Sequence, residues 1–180
     1  MTNGQRFAAS NQFTIFPEQG PAPVWIIPRV YTDSLNNMYG GQWSTTPYGG
    51  AIVNPVDASA AYQGAAGLSI SNFGAFSGVI FISPCLFPKP VDGALEFAIK
   101  TTTSATATNL SLLVSGVNEF GLDTDSSLVQ LPPISNSWQS IHILLDPARA
   151  PVRINHFQIM NGSSVASPPV SLDSIRFRQP

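Results

Sequence analysis

Two side chains stand out by type and spacing. His156 and Gln158 lie two apart in the run Arg153-Ile-Asn-His-Phe-Gln-Ile-Met160. On a β-strand such residues point the same way, so an imidazole and a carboxamide could bracket adjacent hydroxyls and hydrogen-bond them. Bond-making chemistry is harder to find. The other histidine, His142, sits in a separate run, and no His-x-His pair is present to hold a metal. Acids are sparse in the middle of the chain, Glu96, Glu119, Asp123, Asp125 and Asp146 among them, and suggest no carboxylate pair across a cleft. Asp123 and Asp125, close to Gly121, read as turn residues. There is no Ser-His-Asp or Cys-His nucleophile motif and no phosphate-cradling glycine loop. Enzyme activity is not expected of this chain alone.

Composition narrows the partners. Of 180 residues, 43% are hydrophobic, enough for one domain with a sizeable core. Only 10% are charged, so the polar remainder is Ser, Thr, Asn and Gln, a surface suited to neutral, hydroxyl-rich ligands. A net charge of −2 without a Lys/Arg cluster argues against nucleic acid. No apolar run is long enough to predict membrane insertion. The lone Cys85, between Pro84 and Leu86, reads as a small hydrophobe and leaves no intramolecular disulfide. Met1 to Phe7 lacks the charged head and apolar core of a signal peptide, which leaves a cytosolic chain or, the expectation adopted, a module of a larger secreted protein. Asn109-Leu-Ser111 and Asn161-Gly-Ser163 are glycosylation acceptor triplets.

The elements that must position His156 and Gln158 are short strands. Residues 1–28, broken by Pro17, Pro21, Pro23 and Pro28, read as an extended arm or linker, and 29–180 as the domain. Strand-like runs cover 29–35, 50–54, 67–73, 78–83, 94–100, 110–115, 126–131, 138–145, 153–160 and 170–178. Leu95, Phe97 and Ile99 share one face of their strand, and Leu110, Leu112 and Val114 one face of theirs. No stretch has helical periodicity beyond a turn or two. The predicted class is all-β, a sandwich of about ten strands.

Several segments, in order, carry a resemblance: Val30-Tyr-Thr-Asp-Ser-Leu35, Gly41-Gln-Trp43, the Gly49-Gly50 turn, Tyr62-Gln-Gly-Ala-Ala-Gly-Leu-Ser-Ile70, Leu95 to Lys100, the Trp138 strand and Asp173-Ser-Ile-Arg-Phe177. Over roughly Val30 to Phe177 the chain resembles the jelly-roll carbohydrate-binding modules appended to glycoside hydrolases. The resemblance implies a β-sandwich jelly roll of two antiparallel sheets. One sheet would hold the strands near 67–73, 94–100, 138–145 and 170–178. The other, usually the concave and sugar-receiving sheet, would hold those near 78–83, 110–115, 126–131 and 153–160.

By alternation that second sheet turns Ser111, Leu113, Ser115, Gln130, His156 and Gln158 outward. Aromatic rings, on which a sugar's C–H face stacks, would come from loops: Tyr39, Trp43, Tyr48, Tyr62, Phe76 and Phe120. The predicted ligand contacts are His156, Gln158, Gln130, Ser111, Ser115, Trp43 and Tyr48, with Trp138, which opens a core strand, assigned a structural role. The resemblance further implies a structural Ca2+ between Asp33 and Asp173, with Asp57 as a substitute for Asp33. The function implied is lectin-like, non-catalytic binding of a neutral polysaccharide in a shallow groove. The alternative is an assembly jelly roll of a coat, adhesion or scaffold protein, its N-terminal arm contacting a neighbour.

Overall fold

The computed structural model describes residues 28–38, 41–90, 93–126, 128–145 and 151–178. In chain order the strands are β1 (Asn37–Met38), β2 (Gly41–Gln42), β3 (Ser44–Tyr48), β4 (Ile52–Asp57), β5 (Gly67–Ser71), β6 (Gly78–Pro88) and β7 (Ala94–Thr101). They continue with β8 (Leu110–Val117), β9 (Asp123–Asp125), β10 (Val129–Gln130), β11 (Gln139–Leu144), β12 (Arg153–Asn161) and β13 (Val170–Arg178). One sheet has the order β10-β8-β12-β6-β3, with β9 also pairing β8. The other runs β11-β7-β13-β5-β4, and β1 and β2 form a separate hairpin. All the strand pairings are antiparallel. The architecture is a jelly-roll β-sandwich, and the division of strands between its two sheets is the one the resemblance implied.

Alternation builds the core. Leu110, Leu112 and Val114 of β8 and Leu95, Phe97 and Ile99 of β7 are buried, as their spacing predicted. Aromatic rings fill the space between the sheets. Phe157 stacks on Phe81 at 4.6 Å, and Phe87 meets Phe177 edge-on at 5.0 Å. Two β-bulges keep the apolar residues of long strands facing inward. In β12 the register shifts between Ile154 and His156, so that Ile154, Phe157 and Ile159 all reach the core while His156 and Gln158 face out. In β13 the shift falls between Asp173 and Arg176, with Ser174 at a φ of 53° in the left-handed region.

Three expectations need correction. Residues 29–35 form no strand; they make isolated bridges, Arg29 to Arg176 and Tyr31 to Leu35, and the amides of Val30 and Tyr31 both donate to the Ile175 carbonyl. The Ser44–Tyr48 strand has no counterpart among the expected runs. It contains Pro47, and an edge position is where a sheet tolerates proline. Residues 126–131 hold only the short β10, with β9 preceding it. The arm expected at 1–28 lies, apart from Pro28, outside the described residues.

Candidate functional site

The outer face of the six-stranded sheet is laid out by its register. Ser115, His156, Ile82 and Ser44 form one row across β8, β12, β6 and β3. Leu113, Gln158, Ile80 and Thr46 form the next, and Ser111, Met160, Gly78 and Tyr48 the one after. Polar and apolar side chains alternate along the middle row, Leu113-Gln158-Ile80-Thr46, and the polar ones gather on β12 and β3 while β6 between them is apolar.

Tyr48 supplies the aromatic that the sheet otherwise lacks. Its ring lies over Gly78, where a Cβ would come within 2.5 Å of the phenol oxygen. Glycine is needed at 78 for this close approach. From there the Tyr48 hydroxyl donates to Gln158 Oε1 at 3.3 Å, across the strand between them. The tight turn after Tyr48, with Gly49 at φ 62° and Gly50 at φ 84°, leads the chain away to β4 in the other sheet. Tyr48 is thus a face residue at the end of a strand and not a loop residue. Burial raises its pKa, which keeps the phenol a donor.

His156 is half-buried, and its Nδ1 donates to Asn155 Oδ1 at 2.6 Å, leaving Nε2 an acceptor in the neutral ring. Burial lowers its pKa below the ordinary 6.5, against an opposing pull from Asp125 and Asp123 on the neighbouring edge. Ser115, its partner in the row, is only 3% exposed, and its hydroxyl finds no protein partner. An unsatisfied buried hydroxyl costs about 1–3 kcal/mol, and at this depth Ser115 lies beneath the face and is closed to a ligand.

Ser111 and Gln130 are brought to the same face but are already engaged. The Ser111 hydroxyl donates to Gln130 Oε1 at 3.0 Å, and Gln130 Nε2 donates to the carbonyls of Thr108 and Leu110. They tie β10 to β8.

Trp43 requires a correction. It is 1% exposed, lies 6.4 Å from the Phe177 ring in near-parallel stacking, and contacts Phe87 and Phe157. A ring closed into the core cannot touch a ligand. Trp138, expected to be structural, lies at the surface of the sandwich. It is only half-buried, with the Tyr62 ring at 5.2 Å and Lys100 Nζ 4.8 Å over its face, on the outside of the five-stranded sheet. Tyr39 lies outside the described residues. Phe76 and Phe120 are exposed, whereas the glycosylation candidate Asn161 is buried and its amide donates to Gly74 and Val165 carbonyls.

The expected calcium ligands Asp33 and Asp173 both serve the loop at residues 62–66. Asp173 is 0% exposed; its Oδ2 accepts from the amides of Tyr62 and Gln63 at 2.7 and 2.9 Å, and its Oδ1 from Ser174. Asp33 Oδ1 accepts from Ala65 and Ala66 at 2.6 and 3.0 Å. Three of the four carboxylate oxygens are thus directed at N–H groups. Asp57, the substitute, caps a 3-10 turn through Ser59. Among the described residues no group of three His, Cys, Asp or Glu gathers. The donor set does not fit an ion that takes six to eight oxygens. The three carboxylates instead add to burial in pushing the enclosed Tyr31 phenol up to about 12, and its hydroxyl donates to the Pro55 carbonyl at 2.8 Å.

No family model and no curated protein matches this sequence. Solved structures do match in shape. A family 11 carbohydrate-binding module of a cellulosomal cellulase of Clostridium thermocellum gives a TM-score of 0.56 at 14% identity, covering 86% of this chain and 96% of that one. The family 11 module from Clostridium thermocellum in complex with a β-1,3-1,4-mixed-linked tetrasaccharide gives 0.57 at 15% identity, covering 86% and 97%. A family 22 xylan-binding domain from Paenibacillus barcinonensis gives 0.53 at 18% identity, covering 84% and 94%. At these identities the likeness is one of fold: this chain is built as the carbohydrate-binding modules of glycoside hydrolases are built.

Proposed function

We propose that this protein binds a neutral polysaccharide, without catalysis, in a shallow groove on the outer face of the six-stranded sheet. The observation that carries the reading is the patch of Tyr48, Gln158 and His156 interleaved with Leu113, Ile80 and Ile82. A pyranose presents C–H faces and a rim of hydroxyls. Tyr48 and the aliphatic side chains suit the first, and the carboxamide, the imidazole Nε2 and the phenol suit the second. Open strand ends of the groove would let a chain run through, which agrees with the mixed-linked glucan and xylan named for the structural neighbours. Such modules serve proteins that act on extracellular polysaccharide, and we place this one in that setting.

The experiment is titration calorimetry of the full chain with mixed-linkage β-glucan and xylan oligosaccharides, followed by the double variant His156→Ala/Gln158→Ala. Saturable binding lost in the variant supports the reading. Binding that survives it, or none to either glycan, overturns it.

A further inference from the structure

The opposite outer face carries a second constellation. On the five-stranded sheet, a pocket of about 190 Å³ is lined by Tyr62, Gln63, Glu96, Ala98, Ser140, Ser174 and Arg176. Register explains its shape. His142, Glu96 and Arg176 form one row across β11, β7 and β13, and Ser140 pairs with Ala98 in the next. The small Ala98 leaves a floor between neighbours with longer side chains. The loop carrying Tyr62 is pinned above β13 by Asp173, and the Tyr62 ring, 45% exposed, is backed by Trp138. Ser174, at the bulge and at φ 53°, completes the wall. Bulges and left-handed non-glycine residues concentrate at functional sites.

The charges define what such a pocket takes. Glu96 is nearly buried, and both its oxygens are used: Oε1 by His142 Nδ1 and Arg178 at 2.8 and 3.1 Å, Oε2 by two nitrogens of Arg176 at 3.0 Å. Burial pushes the Glu96 carboxyl up, but the bonds from His142, Arg178 and Arg176 outweigh it and hold it below its ordinary value. A carboxylate accepts at about four lone-pair sites, so Glu96 has no acceptor capacity to spare. Arg176 and Arg178, each with half its side chain exposed, keep N–H groups free of Glu96. Around the pocket, Arg176, Arg178 and Lys100 stand against three carboxylates: Glu96, the enclosed Asp173, and Asp33, which holds the same loop. The pocket therefore offers the N–H donors that Arg176 does not spend on Glu96, in surroundings whose charges balance.

We propose that this pocket is a second sugar site, selective for a single pyranose bearing a carboxylate, a hexuronate. Its volume is below the ~300–1,000 Å³ of pockets that enclose drug-sized ligands, which suits one ring and not a chain. The ring's C–H face lies against Tyr62, the hydroxyls meet Ser140, Ser174 and Gln63, and the carboxylate pairs with Arg176. The site is separate from the groove of the six-stranded sheet and stands whether or not that groove binds glucan.

The test is amide-resolved NMR titration of the intact chain with sodium glucuronate, glucose and sodium acetate at matched ionic strength. Glucuronate is expected to move the resonances of Tyr62, Gln63, Ser140 and Ser174 saturably, and to bind at least about tenfold more tightly than glucose or acetate. Arg176→Gln should remove that preference, and Ala98→Leu should fill the pocket and block binding. His156→Ala/Gln158→Ala should leave it intact. An oligosaccharide ending in glucuronate that binds as well as the free acid assigns the site to chain ends; weaker binding assigns it to the free sugar, and both keep the proposal. Equal binding of glucose and glucuronate, equal binding of acetate, or a preference that survives Arg176→Gln overturns it.

Discussion

The two outer faces of the sandwich arise from the same alternation of residues and end as opposite environments. On the six-stranded side, small hydroxyls, an amide, an imidazole and a phenol sit among aliphatic side chains, and the acids Asp123 and Asp125 stand at one edge. On the five-stranded side, one carboxylate is enclosed by two arginines and a histidine, and a buried aspartate holds a loop over the sheet. The difference follows from covering. Glu96 and Asp173 lie beneath other groups, and a buried charge persists only where it is paired or hydrogen-bonded. Among the described residues no loop is pinned over the six-stranded face in this way, and neutral groups suffice there.

The largest effect bearing on this contrast lies between the faces. Trp43→Ala removes the indole that both sheets pack against and should cost about 3–5 kcal/mol, lowering Tm by roughly 6–20 °C. Trp43→Phe should be far milder, because the indole N–H has no partner to lose. Glycan binding that persists in the folded Phe variant confirms the core placement; selective loss of binding without loss of stability breaks it.

Next is Asp173→Ala. It strands two amides of the loop and should cost about 2–4 kcal/mol, visible in a denaturant melt. Calcium and chelator should leave the wild-type melting curve unchanged, since N–H groups occupy these carboxylates. A drop of several degrees on chelation would return a metal to the account. The same region sets the alkaline limit. With the Tyr31 phenol raised from 10 to about 12, its neutral form is the one the fold favours. That contribution is complete below pH 10 and is lost as pH climbs toward 12, so stability should decline across this window. Tyr31→Phe, which cannot ionise, should flatten the decline.

On the open face, His156→Ala and Gln158→Ala should each weaken neutral glycan binding by about 1 kcal/mol, with Tm nearly constant. Collapse of the fold would show that these side chains are structural. Tyr48→Phe is the gentlest test. It keeps the ring over Gly78 and removes only the long bond to Gln158, for a loss of about 0.5 kcal/mol or less in affinity. A tenfold loss would make the hydroxyl itself a ligand contact.

What could be read from the sequence tracks how local its cause is. The sheets were legible because Leu112, Val114, Phe157 and Ile159 obey a period of two. The outward direction of His156 was legible because Phe157 and Ile159 flank Gln158, even though the bulge at Asn155 breaks the count from Ile154. Tyr48 was misread as a loop residue because Pro47 hides an edge strand. Trp43 was placed among the ligand contacts and lies in the core, because a tryptophan's burial depends on which sheet lies opposite. Nothing near residue 138 in the sequence announces Lys100 or Tyr62. The Glu96 cluster was missed for the same reason: Arg176 and Arg178 come from a strand some 80 residues away.

The proline in β3 has a counterpart in Pro55 of β4, and these two strands end their respective sheets. A proline cannot donate to a new neighbour, so each sheet closes on that side with a gap in its row of N–H groups. A second chain would find poor purchase there. At high local concentration that gap is protection, because it discourages copies of the domain from zipping together by these edges.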